Sequence, residues 1–99
     1  MQLLERIMKI DKYETQIIGK WIFTDGKMVA DEQCKRIQSL MTYYLKKIAI
    51  DKTGWDVLLQ DPNDDRYWEL IYSNSEMHGG GPPSLLLIFE SEVKKKYDI

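Results

Sequence analysis

The sequence predicts an α+β fold in which an antiparallel sheet of about four strands packs on one main α-helix, with a short helical turn near the C-terminus. Apolar residues recur at helical spacing over a long stretch near the middle of the chain. Short runs of alternating apolar and polar residues lie on both sides of that stretch, and turn signals separate them. At 99 residues, the chain is expected to be one domain over 1–99, with 1–14 as a leader and 91–99 as a tail.

The first predicted strand spans residues 16–23, where Gly19 marks a bulge or a close approach of another part of the chain. Asp25-Gly26 then signals a tight turn, and Met28-Val29 can pair back as a short second arm of a hairpin.

The main predicted helix runs from an N-cap at Asp31 to about Ala49. Its apolar stripe consists of Cys34, Ile37, Leu40, Met41, Tyr44, Leu45 and Ile48. A stripe at this spacing predicts that one side of the helix covers a face of the sheet. Cys34, which lies on the stripe, is expected in the core.

Two further strands, over residues 55–60 and 66–73, are predicted to form an antiparallel hairpin. The intervening Asp61-Pro62-Asn63-Asp64 has Asp first and Pro second, which is the order that a type I turn prefers. A loop this short favours antiparallel pairing of the two strands.

The last part of the chain begins with residues 74–84, where three successive glycines and two prolines predict a loop. Residues 85–89 form an apolar run that predicts a buried strand. Ser91 is a candidate cap for a final helical turn that reaches Tyr97.

Composition excludes several classes of function. The formal net charge of -2 lacks the basic excess of a phosphate-binding surface, so direct nucleic-acid binding is disfavoured. The single cysteine allows no intramolecular disulfide and no zinc thiolate cluster, which fits a reducing compartment. No apolar run is long enough to span a membrane, and the charged start does not resemble a signal peptide. The sequence therefore predicts a cytoplasmic protein that does not bind membranes.

His78-Gly79-Gly80-Gly81 is the first candidate for chemistry, because it is similar to the oxyanion-hole loop of lipases and esterases. Those enzymes also need a G-x-S-x-G nucleophile elbow and a triad histidine, whereas this chain has no such elbow and only one histidine. No catalytic residue is therefore predicted. A small hydrolase built on this loop is kept as a third hypothesis, and a loop that passes close over the sheet is the simpler interpretation.

Asp61, Asn63 and Asp65 have the spacing that begins an EF-hand calcium loop. The match fails twice, since that loop needs glycine at its sixth position and glutamate at its twelfth, where this chain has Arg66 and Tyr72. These residues are interpreted as turn formers or a solvated tip. Neither a metal nor another cofactor is predicted.

Acidic residues concentrate in the predicted hairpin, where residues 54–73 carry five acidic side chains and a single arginine. An acidic tip can steer a basic partner by long-range attraction. A turn that is merely solvated is the alternative. The candidate partner-binding residues are Asp56, Asp64, Asp65 and Glu69, with His78 in the glycine loop.

Four segments together carry a resemblance to a known family. They are IIGKW at 17–21, DEQCKRI at 31–37, GWDVLLQDPNDDRYWELIY at 54–72 and HGGGPPSL at 78–85. In this order they resemble the immunity protein 27 family of bacterial polymorphic toxin systems. The resemblance implies a protein, made beside a toxin as in contact-dependent growth inhibition, that binds the toxin domain and protects the producing cell. It implies no cofactor and no turnover.

The resemblance leaves the role of the motif residues open. Trp55, Asp61, Pro62, Arg66, Trp68, Glu69 and the 79–83 loop either maintain the fold or form the toxin-facing surface. Trp, Gly and Pro suit packing and turns, which favours the fold. The competing function is a protein interaction adaptor that uses the same hairpin without conferring immunity, and the gene neighbourhood separates the two.

Overall fold

The computed structural model describes residues 9–72 and 81–99. In chain order the elements are β1 Gln16–Ile18, β2 Trp21–Thr24, β3 Lys27–Ala30, α1 Glu32–Tyr43, β4 Lys46–Ile50, β5 Val57–Gln60, β6 Tyr67–Tyr72, β7 Pro83–Ile88 and α2 Glu90–Lys96. The predicted α+β class, with one main helix and a short C-terminal helix, is confirmed. Within these two ranges, no helix is long and apolar enough to cross a membrane.

The strands form two antiparallel sheets. The main sheet has the order β1-β7-β6-β5-β4, and β2 and β3 make a separate two-stranded hairpin. The prediction of about four strands is therefore close, but it missed β4 and merged β1 with β2.

Gly19 explains why β1 and β2 belong to different sheets. Its N–H donates to the carbonyl of Pro83 at 2.9 Å, and a Cβ built on it would lie 2.6 Å from Cys34 Sγ. The predicted close approach is confirmed, since only glycine fits between β7 and α1 here. The chain then turns back through Asp25 and Gly26, whose φ angles of 51° and 76° suit a type I′ hairpin turn.

Helix α1 begins as predicted, because Asp31 caps it by accepting a hydrogen bond from the N–H of Cys34 at 2.9 Å. The predicted end near Ala49 is wrong, since the helix ends at Tyr43. The residues that follow pair with β5 as the edge strand β4. Ile48 continues the apolar spacing of the helix, but the strand pairing determines its position.

The remaining strands lie near their predicted positions, but β5 begins two residues later than predicted, and β7 begins at Pro83, inside the predicted loop, and ends at Ile88. β5 and β6 form the antiparallel hairpin, with Leu59 opposite Trp68, and β7 pairs with the other side of β6. Helix α2 begins after Phe89 and not at Ser91, and its first turn holds acidic residues, which suit the positive end of a helix dipole.

Both faces of the main sheet are covered. The core beneath α1 contains Ile10, Ile17, Ile37, Leu40, Leu45, Leu59, Trp68, Leu70 and Leu85. On the opposite face Leu58 packs with Val93 and Tyr97. Trp68 is thus the tryptophan that packs against the stripe of α1, while Trp21 and Trp55 are 43% and 52% exposed.

Candidate functional site

Arg66 holds the segment before β1 against the turn between β5 and β6. Its guanidinium donates to the carbonyls of Asp11 at 3.0 Å, Lys12 at 3.4 Å and Glu14 at 2.9 Å. Its Nε donates to Asp64 Oδ2 at 2.7 Å, and the guanidinium lies 5.1 Å from the centroid of the Trp68 ring. We call this set of contacts the Arg66 clamp. It uses the planar fork of arginine to join two parts of the chain.

Asp61 organises the turn between β5 and β6 from inside the protein. It is 0% exposed, and its Oδ1 accepts hydrogen bonds from the N–H of Asn63 at 2.8 Å and the hydroxyl of Tyr44. Burial and the neighbouring Asp61 raise the pKa of Tyr44, so the phenol keeps its proton and donates it. Asp61 is a turn former, as interpreted from the sequence, but it is not part of a solvated tip.

Asp64 and Asp65 lie at the outer end of the same turn. Asp64 accepts hydrogen bonds from both the backbone N–H and the side chain of Arg66, at 3.1 and 2.7 Å. Asp65 is exposed and has a φ of 63°, a conformation that Asp tolerates better than most residues. The turn therefore presents Asp65 to solvent, while Arg66 orients the carboxylate of Asp64.

Asp56 and Glu69 lie away from that turn, beneath α2. Lys96 Nζ is 2.6 Å from Asp56 Oδ2 and 2.6 Å from Glu69 Oε2, and Tyr97 donates to Glu69 Oε2 at 2.9 Å. Burial alone would lower the pKa of Lys96, but the hydrogen bonds to the two carboxylates raise it. The structure thus brings Asp56 and Glu69 together as an anchor for α2 and separates them from Asp64 and Asp65.

The prediction for His78 falls on residues 73–80, which lie outside the described residues. It stays a prediction, and so does the hydrolase hypothesis that depends on it. The described end of the same loop includes the buried Gly81 and leads into β7.

Metal binding and thiol chemistry would depend on other side chains in the described part of the chain. There, no three His, Cys, Asp or Glu side chains form a group that could hold a metal ion. Cys34 is buried, as predicted, and burial together with Asp31 raises the pKa of its thiol. Its thiol is therefore neither exposed nor activated as a nucleophile.

Sequence reasoning missed an open groove between the β5–β6 turn and the start of α2. The groove is lined by Asp65, Arg66, Tyr67, Leu87, Ile88, Phe89 and Glu90. Phe89 is 69% exposed although it ends an apolar run. The one available signal was the direct change from that run to Glu90, where the strand gives way to a helix.

Comparison with protein-family models gives a match to immunity protein 27 over residues 23–89. Because the match covers more than half of the chain, the protein belongs to the immunity protein 27 family. The matched span includes three of the four resembling segments, while IIGKW at 17–21 precedes it. Comparisons with curated proteins and with solved structures gave no match.

Proposed function

We propose that this protein binds a cognate bacterial toxin domain in the cytoplasm and neutralises it, so that the producing cell is protected. The family match over residues 23–89 carries this proposal. Inhibition by binding needs surface complementarity and neither a cofactor nor a catalytic residue.

The turn between β5 and β6, called the acidic turn because it carries Asp64 and Asp65, supports a mechanism for this binding. A toxin that acts on nucleic acid must hold phosphates, so its active-site face is basic. Asp64 and Asp65 lie together at the outer end of the turn. Because Arg66 pairs with Asp64, Asp65 contributes most of the charge that attracts such a face and competes with the substrate. Asp56 and Glu69 contribute less to this field, because Lys96 lies against both carboxylates.

Co-expression with the toxin domain encoded beside this chain tests the proposal. Cells that carry both proteins are expected to grow like cells that carry a catalytically inactive toxin. Death at the rate seen with the toxin alone refutes neutralisation. Binding of the toxin without any protection favours the adaptor hypothesis instead.

Leu40→Asp provides a matched control for the co-expression experiment. This substitution places a charge at a fully buried position of α1, which should prevent folding. Protection that survives it would not depend on the folded domain.

A further inference from the structure

The groove between the β5–β6 turn and α2 has two exposed carboxylates beside an exposed aromatic ring. Strand pairing places Tyr67 opposite Ile88, which brings the end of the turn beside the start of α2. Asp65 and Glu90 line this groove together with Phe89. All three side chains are exposed.

The guanidinium of Arg66, which is the cation in the groove wall, already has partners within the chain. Arg66 binds Asp64 and the carbonyls of the segment before β1. Glu90 lies 3.6 Å from Lys94, but both of these side chains are about 70% exposed, and such surface pairs are weak. The carboxylates of Asp65 and Glu90 are therefore available to a cation from outside.

We infer that the groove binds an arginine or lysine side chain of the toxin, with Phe89 beneath the cation and Asp65 and Glu90 as its counter-charges. This inference rests on the proposed function. An aromatic face attracts a cation, and carboxylates bind it through charge-assisted hydrogen bonds. Exposed aromatic residues are also frequent anchors of protein interfaces.

The β2–β3 hairpin also exposes apolar side chains, and it provides a control. Phe23 is 72% exposed there, which closely matches the exposure of Phe89. Phe23 pairs with Met28, and Asp25 and Lys27 each lie within two positions of this pair, so the charges around Phe23 balance and do not favour a cation.

The first experiment measures the binding of a purified, catalytically inactive toxin domain, encoded beside this chain, to the immobilised full chain. Phe89→Ala is expected to raise the Kd at least about tenfold, mainly by faster dissociation. Phe23→Ala should leave the Kd within about twofold of the wild type, since routine surface contacts contribute little.

The second experiment tests the carboxylates by combining Asp65→Asn with Glu90→Gln. Asparagine tolerates the left-handed backbone at residue 65, so the change removes charge with little strain. The double variant should associate at least about threefold more slowly at low ionic strength, and the difference should shrink as salt is added. Glu92→Gln, also in the first turn of α2, is the control that should leave the rate unchanged.

The outcomes separate the two proposals. Failure of the wild-type chain to bind the toxin overturns the proposed function and the groove with it. Toxin binding that is equal for the wild type, Phe89→Ala and the double variant overturns only the groove. A larger loss for Phe23→Ala than for Phe89→Ala also overturns the groove and places the interface on the β2–β3 hairpin.

Discussion

Arg66, Asp61 and Trp68 lie in one of the segments that carry the family resemblance, and each makes contacts within the chain. Arg66 forms the clamp, Asp61 organises the turn, and Trp68 fills the core. Their positions agree with the interpretation that motif residues of these types maintain the fold. Trp55 differs, because it is half exposed in the connection before β5.

A substitution at Leu40 tests whether the predicted apolar stripe of α1 lies in the core. Leu40 is fully buried in the core between α1 and the sheet. Leu40→Ala should lower the free energy of unfolding by about 2 to 5 kcal/mol, the usual range for a buried leucine. Urea denaturation measures the change. Gln38→Ala, on the exposed side of the same helix, should change it by less than about 0.5 kcal/mol.

Gly19 gives a second prediction at this scale. In Gly19→Ala the new methyl group would meet the carbonyl oxygen of Pro83 and lie 2.6 Å from Cys34 Sγ. Because backbone cannot yield as a side chain does, the expected loss is about 1 to 3 kcal/mol, as for other overpacked sites. Thermal unfolding measures this loss. If Gly19→Ala melts at the wild-type temperature, the contact of this segment with β7 is looser than the structure shows.

The secondary-structure elements show where sequence reasoning succeeded and where it failed. Turn residues such as Pro62 and Gly26 made both hairpins predictable, because their preferences are local. The end of α1 was not predictable from spacing, since Ile48 fits both a helical stripe and a strand. Pairing with β5, a contact between residues distant in sequence, decides between the two.

The docking of α2 leads to a prediction about alkaline pH. Burial and Glu69 raise the pKa of Tyr97, burial and Asp61 raise that of Tyr44, and the hydrogen bonds to Asp56 and Glu69 raise that of Lys96 in spite of its burial. Folding thus favours the protonated form of all three groups. Their contribution to the free energy of unfolding is complete below the unfolded-state pKa values of 10.0 for Tyr and 10.5 for Lys. It is lost as pH rises through the folded-state pKa values.

The free energy of unfolding should therefore fall as pH rises above about 10, by up to about 1.4 kcal/mol per pH unit for each of the two tyrosines. Denaturation at pH 8, 10 and 11 measures this dependence. Tyr97→Phe should reduce the slope, whereas Lys94→Met, a change at an exposed position on the same helix, should not. A slope that is the same in Tyr97→Phe and wild type would mean that other groups cause the alkaline loss.

For the whole molecule, composition and pattern were enough to predict the class, one main helix and the central hairpin. They were not enough to predict which charged residues pair with one another. Asp56 and Glu69 were grouped with Asp64 and Asp65 by sequence proximity, but Lys96, more than 25 residues further along, binds the first pair. The groove beside Phe89 was missed for the same reason, since two segments distant in sequence form it.

The acidic turn leads to a prediction about how fast the whole molecule associates with the toxin. Asp64→Lys combined with Asp65→Lys should slow toxin association at least about tenfold at low ionic strength, within the range of electrostatic steering. Association rates across a salt series measure the effect. Because Asp64 pairs with Arg66, the unfolding midpoint of the variant is measured in parallel.

Glu32→Lys combined with Asp98→Lys is the matched control for the turn. It changes the net charge by the same amount at two exposed positions, one on α1 and one after the end of α2. Equal rates for the two double variants would show that only net charge matters, and would place the interface away from the turn.

The Arg66 clamp holds the segment before β1 mainly by its backbone. Its guanidinium contacts the carbonyls of Asp11 and Lys12, which every amino acid possesses, while the side chain of Tyr13 is 80% exposed. Substitutions at Lys12 and Tyr13 therefore leave these attachment points in place. For a protein with the proposed function, Lys12 and Tyr13 are thus two positions beside the acidic turn where new side chains can arise without loss of the Arg66 clamp.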